Sequence, residues 1–268
     1  MKTEQEVAMV IKRDSLADRI CKITLQCPKI ASRCRPGQFV RLQALAQKSI
    51  LPRPLAVYQT DEDGRLEVVV KDTGPNTGLY SRLRPSARIR VSGPHGQPVE
   101  IKPEIEKVWL IGGGSGLASL LPLAALLEGK KASVIAGFRT KAEAFGQKDF
   151  GQWIKWFSVA IEDSDGQKEW HSDFSGRASD LFSLQLKGCC ELMLSEVYAC
   201  GPPAMEKAVA EICREYGLPC FVFLERLMAC GQGACLGCSV PMMDKTVKYV
   251  CKDGPVFPAE EVNWNELA

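Results

Sequence analysis

Apolar and polar residues alternate in short runs through the first hundred positions. In RICKITLQ (19–26) and RLEVVVK (65–71) every second side chain is apolar, which is typical of half-buried strands. Such runs recur about every ten residues and are separated by turn sequences such as PGQ and DEDG. The other runs are 5–12, 38–44, 53–59 and 87–92. This pattern predicts a small antiparallel β-barrel, with one short helix in GPNTGLYSRL (74–83).

The pattern changes at Lys107, where continuous apolar runs begin to alternate with helical segments. KVWLIGGGSGLASLLPLAALLEG predicts a strand, a glycine turn and a helix, and PAMEKAVAEICREYG (203–217) predicts an amphipathic helix that ends at a glycine. Further strands are predicted at 131–138, 156–161 and 192–200. Strands alternating with helices indicate a parallel sheet covered on both faces.

Three segments follow from these patterns: a β-barrel domain (1–102), an α/β domain with a parallel sheet (103–217) and a small C-terminal module (218–268). We therefore predict a multidomain β plus α/β protein. The length of 268 residues is ample for two packed cores.

Composition and charge exclude several classes of function. The net charge of +2 gives no electrostatic support for a nucleic acid or an anionic membrane as partner. The uncharged run 108–127 is long enough to span a bilayer, but its glycines and Pro122 favour a strand, a turn and a helix, so no membrane segment is expected. The sequence has only two histidines, His95 and His171, so it offers few candidates for acid–base or nucleophilic catalysis. No catalytic side chain is predicted.

Four of the twelve cysteines lie close together near the C-terminus. Cys230, Cys235, Cys238 and Cys251 have the spacing C-x4-C-x2-C-x12-C. Plant-type 2Fe–2S sites share the C-x4-C-x2-C core with one distant fourth cysteine. The residues between Cys238 and Cys251 suit a hairpin that returns the fourth thiolate.

Glycines between these cysteines support the same interpretation. Gly231, Gly233 and Gly237 allow the backbone to turn its N–H groups toward the sulfur atoms. A structural zinc site is the first alternative, although zinc sites usually present two C-x2-C pairs. Unliganded, buried cysteines are the second. A disulfide framework is not expected, because residues 1–11 lack the apolar core of a signal peptide.

Two strand-to-helix turns and one strand offer candidate nucleotide contacts. IGGGSGLA (111–118) can seat a diphosphate on a helix N-terminus, or it is only a tight turn. ACGPPAM (199–205) lies at the same predicted sheet edge, and its prolines also suit a plain helix start. Arg139 ends the second strand where a ribose-binding carboxylate is usual, and it either binds a phosphate or ribose or is a solvated charge. Arg53 in PRPLAVY either clamps a diphosphate or is a surface arginine.

The motifs PGQF, RPLAVY, GPNT, GPHG, IGGGSG, CGPPAM, ERLMACGQGACLGC and VCKDGPVF follow one another along the chain. In this order the chain resembles the electron-transfer subunits of two-subunit, NAD-linked dihydroorotate dehydrogenases, a branch of the ferredoxin–NADP reductase superfamily. The resemblance runs from about residue 5 to residue 258, and the last two motifs are its most specific part.

The resemblance implies an antiparallel FAD-binding barrel, an NAD-binding parallel-sheet domain and a C-terminal 2Fe–2S module. By motif it implies flavin contacts at Arg53, Pro54, Leu55, Ala56, Val70, Lys71, Asp72, Asn76 and Thr77. It implies nicotinamide-nucleotide contacts at Gly112, Gly113, Gly114, Gly116, Cys200 and Gly201, and cluster ligands at the four cysteines named above.

Two positions depart from the family pattern. Ala56 stands where a serine that approaches the flavin is usual, so a hydrogen-bond donor near the ring is lost. Asn76 stands where a glycine is usual, which changes how closely the chain can approach the diphosphate.

The function implied is electron transfer in pyrimidine biosynthesis. Electrons from FMN in a catalytic dihydroorotate dehydrogenase partner would pass through the cluster and FAD to NAD⁺, in a cytoplasmic heterotetramer. A flavin is suited to the middle position because it exchanges electrons both in pairs and singly. Six apolar residues near the cluster are candidates for the partner interface or for packing: Leu236, Val240, Met242, Met243, Val256 and Phe257.

Two alternatives stay open. The chain also resembles the flavin subunits of sulfide dehydrogenases and bifurcating transhydrogenases, which often have an aspartate where Cys230 stands here. The other alternative is a non-redox regulatory module with zinc in the cysteine loop, which would be colourless.

Overall fold

The computed structural model describes residues 3–45, 51–127, 130–163, 174–189 and 192–267, so His171 lies outside the described residues. By their contacts the residues group into two compact units, each containing parts of the C-terminal segment. The first unit comprises 1–99, 225–240 and 247–255, and the second comprises 100–224, 241–246 and 256–268. The functional division at residues 102 and 217 stays a prediction.

The first unit is built on a closed six-stranded barrel. Its strands are β1 (Glu4–Ala17), β2 (Ile20–Gln26), β3 (Phe39–Ala44), β4 (Arg53–Thr60), β5 (Arg65–Lys71) and β6 (Arg88–His95). They follow the order β1-β2-β5-β4-β3-β6, and all neighbours are antiparallel. The predicted barrel is confirmed. Strand β1 continues beyond its predicted end because it pairs with β2 as far as Ala17 opposite Ile20.

Alternating side chains fill the barrel. Val40 and Leu42 on β3 and Val68 and Val70 on β5 are buried in one continuous apolar core. Two short helices, α1 (Pro28–Ala31) and α2 (Pro75–Tyr80), pack against the strands. The Tyr80 hydroxyl donates a hydrogen bond to the Leu42 carbonyl at 2.8 Å, which joins α2 to β3.

The second unit is built on a seven-stranded sheet. Its strands are β7 (Lys107–Gly113), β8 (Lys131–Phe138), β9 (Trp156–Ile161), β10 (Phe174–Ser175), β11 (Ser195–Cys200), β12 (Cys220–Phe223) and β15 (Val256–Pro258). The order is β10-β9-β8-β7-β11-β12-β15, parallel except for the antiparallel edge strand β15. The predicted parallel sheet is confirmed. The strand order reverses between β7 and β11, which is where such sheets bind nucleotides.

Most helices described in this unit are short, and α5 and α6 are the longer ones. The 3₁₀ helices are Gly114–Leu120, Lys141–Glu143 and Ala259–Glu261, and the α-helices are α3 (Leu121–Ala124), α4 (Gln147–Phe150), α5 (Ala178–Lys187) and α6 (Pro203–Tyr216). Helix α6 confirms the prediction and ends at Gly217, whose φ of 65° is left-handed. The helix predicted after the glycine turn is instead a 3₁₀ helix followed by one α-turn. Pro122 has no N–H to continue an α-helical ladder through this segment.

A small hairpin completes the chain. Strands β13 (Ser239–Pro241) and β14 (Val247–Tyr249) form a two-stranded sheet between Cys238 and Cys251, as predicted. Within the described ranges, no helix has the length and apolar character needed to cross a membrane.

Candidate cofactor sites

The cysteine loop is held together by the β13–β14 hairpin. The Val250 N–H donates to the Cys238 carbonyl at 3.0 Å, and the Sγ atoms of Cys238 and Cys251 lie 3.3 Å apart. Both of these side chains are buried, whereas Cys235 is exposed and Cys230 is half-buried. The hairpin therefore returns the fourth cysteine to the third, across twelve intervening residues.

Backbone N–H groups in the loop are turned toward sulfur. Gln232 and Cys235 each donate an N–H to Cys230 Sγ at 3.3 Å, and Gly233 donates to Cys251 Sγ at 3.1 Å. Gly231 and Gly233 have φ values of 68° and 77°, which glycine adopts without strain. N–H groups in this arrangement stabilise negatively charged sulfur, as an iron–sulfur cluster requires.

The thiols differ in their acidity for physical reasons. Burial acts to raise the pKa of Cys230, but hydrogen bonds from the backbone N–H groups of Gln232 and Cys235 outweigh it and lower the pKa to about 6. Burial, followed by the hydrogen bond from Cys238, raises the pKa of Cys251 to about 12. Across the described residues, no group of three or more cysteine, histidine, aspartate or glutamate side chains has a geometry that could hold a metal ion. The four-cysteine ligand set therefore stays a prediction.

Two barrel side chains, Arg41 and His95, lie beneath the loop. The buried guanidinium of Arg41 donates to the carbonyl oxygens of Ala229 and Cys230. Burial lowers the pKa of Arg41, and attraction to the nearby cysteines, Cys230 foremost, opposes the change. The His95 ring stacks on Phe39 with centroids 5.4 Å apart. Burial, and then repulsion from Arg41, lowers the pKa of His95 to about 4, so this ring is neutral at neutral pH.

The predicted flavin motif lies on β4, beside β3. Arg53 pairs with Leu42 and Ala56 with Phe39, and the side chains of Arg53, Pro54, Leu55 and Ala56 are all half-buried. The Leu42 carbonyl also accepts the hydrogen bond from the Tyr80 hydroxyl, so Arg53 and the end of α2 both lie next to Leu42. Burial raises the pKa of Tyr80, and the charge of Arg53 opposes that rise.

The other predicted flavin contacts cluster where β5 leads into α2. The Val70 side chain is fully buried in the barrel core, so it offers a ligand only its backbone, whereas Lys71 and Asp72 are half-buried. The Asp72 carboxylate accepts a hydrogen bond from the Ser81 hydroxyl at 3.2 Å. The Thr77 hydroxyl accepts the Gly74 N–H at 3.1 Å, which fixes the start of α2 next to Asn76.

In the second unit, the turns after β7 and β11 pack directly on each other. A Cβ atom at Gly116 would lie 2.6 Å from the Cys200 carbonyl oxygen, and one at Gly201 would lie 2.9 Å from the Gly113 Cα. A Cβ at Gly112 would lie 2.6 Å from Leu117. At Gly112, Gly116 and Gly201 packing alone requires glycine, as the tight-turn interpretation expects.

Gly114 is different from its neighbours. Its φ is 53°, and a Cβ built there would meet no atom within 4 Å. Packing therefore does not require glycine at this position, where the left-handed φ favours it and the side-chain position is open. The neighbouring turn is fixed by Glu206, a buried carboxylate that accepts the Gly201 N–H at 3.1 Å.

At the end of β8, Arg139 is exposed and forms an ion pair with Asp163 at 3.3 Å. This contact agrees with the interpretation of Arg139 as a solvated strand-end charge.

Of the six apolar residues proposed for an interface or for packing, three are packing residues. Val240, Met242 and Phe257 are each 2% exposed or less. Leu236 and Met243 remain exposed, at 55% and 63%, and Val256 is half-buried. Leu227 and Val247 are also exposed, but the sequence does not predict this, because an apolar residue outside a regular pattern gives no signal of whether it is exposed.

The chain combines a closed antiparallel barrel with a parallel sheet that has glycine turns at its switch point, and a cysteine loop is attached to the barrel. This combination defines an oxidoreductase of the ferredoxin–NADP reductase type. The solved structure of an NADH-dependent reduced ferredoxin–NADP oxidoreductase, described for flavin-based electron bifurcation, superposes with a TM-score of 0.85 at 29% identity, covering 98% of this chain and 91% of that one. A ferredoxin reductase of carbazole 1,9a-dioxygenase shares the fold, with a TM-score of 0.71 at 22% identity, over 82% of this chain and 68% of that one.

The particular family follows from two further matches. Residues 225–263 match the model of the iron–sulfur cluster binding domain of dihydroorotate dehydrogenase B. The electron transfer subunit of dihydroorotate dehydrogenase B (NAD⁺) from Geobacillus thermodenitrificans is 34% identical over 266 residues, covering 96% of this chain and 98% of that protein. The chain belongs to the family of dihydroorotate dehydrogenase B electron transfer subunits.

Proposed function

We propose that this chain passes electrons between an FMN-containing dihydroorotate dehydrogenase subunit and NAD⁺, through a 2Fe–2S cluster and FAD, in pyrimidine biosynthesis. The observation that carries the proposal is the cysteine loop, in which backbone N–H groups turn toward Cys230 and Cys251. Arg41 ties this loop to β3, the strand that also pairs with the predicted flavin motif on β4. One compact unit thus contains both predicted redox sites.

FAD, when bound, supplies the chemistry that links two-electron exchange with a nicotinamide to one-electron exchange with a cluster. Arg53 would hold the flavin diphosphate through charge-assisted hydrogen bonds. The backbone of Val70, the polar atoms of Lys71 and Asp72 and the Asn76–Thr77 turn would hold the rest of the cofactor, beside Pro54, Leu55 and Ala56. Ala56 offers no hydroxyl to the ring, so the remaining contacts there are apolar or from the backbone.

The nicotinamide nucleotide would bind at the switch point between β7 and β11. Gly114 leaves space for the diphosphate, and the Cys200–Gly201 turn would face the nicotinamide. Glu206 holds that turn in place through the Gly201 N–H. No side chain needs to act as an acid or a base, because hydride transfer requires only correct positioning of the two rings.

The catalytic partner would dock where the cluster is accessible, in a heterotetramer with two copies of each chain. Exposed Cys235 and the exposed apolar side chains Leu227, Leu236 and Val247 support this location within the first unit. We place the complex in the cytoplasm, because none of the cysteines within the described part of the chain forms a disulfide, as in a reducing compartment.

Co-expression with a cognate FMN-containing dihydroorotate dehydrogenase subunit tests the proposal. The complex should reduce NAD⁺ with dihydroorotate, while this chain alone should show only NADH-dependent dye reduction. A cognate subunit that neither binds this chain nor couples dihydroorotate to NAD⁺ would refute the assignment.

The alternative is a flavin subunit of another complex, of the sulfide dehydrogenase or bifurcating transhydrogenase type. The structural similarity to a bifurcating oxidoreductase favours this alternative, whereas the cysteine at position 230 favours the dihydroorotate branch. The protein that co-purifies with the chain from its source cells distinguishes the two.

A further inference from the structure

The barrel contains a buried cation, Arg41, that has no carboxylate partner among the described residues. Val40 and Leu42 point into the barrel core, so Arg41 between them projects from the opposite face of β3. Its residue exposure is only 7%, and no ion pair joins it to a carboxylate within the described ranges. Burying a guanidinium in this way is costly unless a negative charge lies nearby.

The hydrogen bonds of Arg41 do not supply that charge. Its two terminal nitrogens donate to the neutral carbonyls of Ala229 and Cys230. Its third nitrogen, Nε, is buried and has no partner among the described residues. The guanidinium is therefore fixed against the cysteine loop while its full charge remains uncompensated by any carboxylate described.

The loop is shaped around this guanidinium. A Cβ atom at Gly231 would lie 2.6 Å from Arg41 Cδ and 2.7 Å from Nη1, and the φ of Gly231 is 68°. Only glycine allows the backbone next to Cys230 to approach so closely.

We propose that Arg41 is the internal counter-charge of the cluster and the residue that positions its loop on the barrel. The inference rests on the proposed function, because it requires the cluster to be bound by the four cysteines. A 2Fe–2S cluster with four thiolate ligands is anionic, and reduction adds one more negative charge. A fixed, buried positive charge stabilises the reduced state more than the oxidised state, so Arg41 raises the reduction potential.

Two other cations provide matched comparisons. Lys252 is exposed, and its side chain passes 3.1 Å from the Cβ position of Gly233 in the same loop. Arg90 is exposed on β6 of the same barrel and donates to Gln43 at 3.0 Å. Each can lose its charge through substitution by methionine, but water and salt screen charges at exposed positions.

The experiment uses the 268-residue chain with its cofactors as purified. Redox titration followed by electron paramagnetic resonance gives the potential, and iron, sulfide and flavin contents are measured alongside. We expect R41M to lower the equilibrium constant for cluster reduction about tenfold, which is about 59 mV for one electron. R41K keeps the charge and should stay within about threefold of the wild type, while K252M and R90M should stay within about twofold.

R41Q covers the case in which R41M assembles no cluster, because glutamine can still donate to a loop carbonyl without carrying charge. Loss of iron from R41M and R41Q, with flavin retained and R41K loaded, supports the proposal. An unchanged potential in R41M or R41Q overturns it, as does an R41K shift equal to that of R41Q. Loss of iron from all three variants with flavin retained shows a purely structural role and also overturns it. A wild-type protein without the cluster instead refutes the proposed function, so the two failures are distinguishable.

Discussion

Substituting Gly114 by asparagine should separate nucleotide binding from stability. The Cβ of residue 114 would meet no atom of the described residues within 4 Å, and asparagine tolerates the left-handed φ of 53° better than other side chains. We therefore expect the free energy of unfolding to fall by about 1 kcal/mol or less. The new side chain would occupy the open space in which we propose that the diphosphate binds. Loss of one charge-assisted hydrogen bond, about 1.5–3 kcal/mol, weakens NADH binding roughly ten- to a hundredfold.

Gly116→Ala is the matched comparison two residues away. Its Cβ would lie 2.6 Å from the Cys200 carbonyl oxygen and 2.8 Å from the Gly201 Cα, and neither backbone can move without separating the two turns. Overpacking of this kind costs about 1–3 kcal/mol. For a chain of this size that cost lowers Tm by roughly 2–4 °C per kcal/mol. Gly116→Ala should thus lose stability, whereas Gly114→Asn should lose NADH affinity.

NADH-driven bleaching of the flavin absorbance, measured against NADH concentration, and thermal unfolding are followed on both variants. Iron and flavin contents check that the first unit is intact. Unchanged NADH kinetics in Gly114→Asn would remove the IGGGSG turn from the nucleotide site. A Tm of Gly116→Ala equal to that of the wild type would contradict the packing argument.

Three further predictions concern the other sites. Cys235→Ser should abolish the electron paramagnetic resonance signal of the 2Fe–2S cluster and lower the iron content, while Cys34→Ser should change neither. Stoichiometric zinc in place of iron in anaerobically prepared wild-type protein would contradict the cluster assignment. Arg53→Ala should weaken FAD retention roughly ten- to a hundredfold, because ~1.5–3 kcal/mol is lost. Arg65→Ala at the exposed start of β5 should not weaken it, and release of FMN on denaturation would show the ligand to be wrong. Leu236→Asp should weaken binding to the catalytic subunit in analytical ultracentrifugation, whereas the same substitution at Leu184, an exposed residue of α5, serves as control. Equal binding by both variants would exclude Leu236 from the interface.

The sequence predicts the strands well because their signals are local. Alternation in the barrel and continuous apolar runs in the sheet place β5, β8 and β9 at the observed residues. The residues between Cys238 and Cys251 similarly predict the hairpin that returns the fourth cysteine to the third.

The features that the sequence does not predict depend on contacts between residues far apart in the chain, or they have only weak local sequence signals. The Arg41 contact with the Cys230 carbonyl spans 189 residues, and no pattern within VRLQ marks it. Helix α5 begins after Arg177, which is not a usual N-cap residue, so the local sequence carries no clear signal for its start. The burial of Val240, Met242 and Phe257 depends on tertiary packing, which their apolar character alone does not reveal.

The long stretch of chain between Arg41 and the cysteine loop also determines the order in which the two are synthesised. Domains generally fold from the N-terminus during synthesis, and the barrel strands are complete by His95. Ala229 and Cys230 emerge only after the whole parallel sheet except its last strand has been translated. Until then the guanidinium of a nascent barrel has no loop to cover it. Cys251, the predicted fourth cluster ligand, emerges later still. We therefore expect iron and sulfide to be inserted late in the maturation of this chain, and a chain that stalls on the ribosome within the second unit should contain a barrel that holds no cluster.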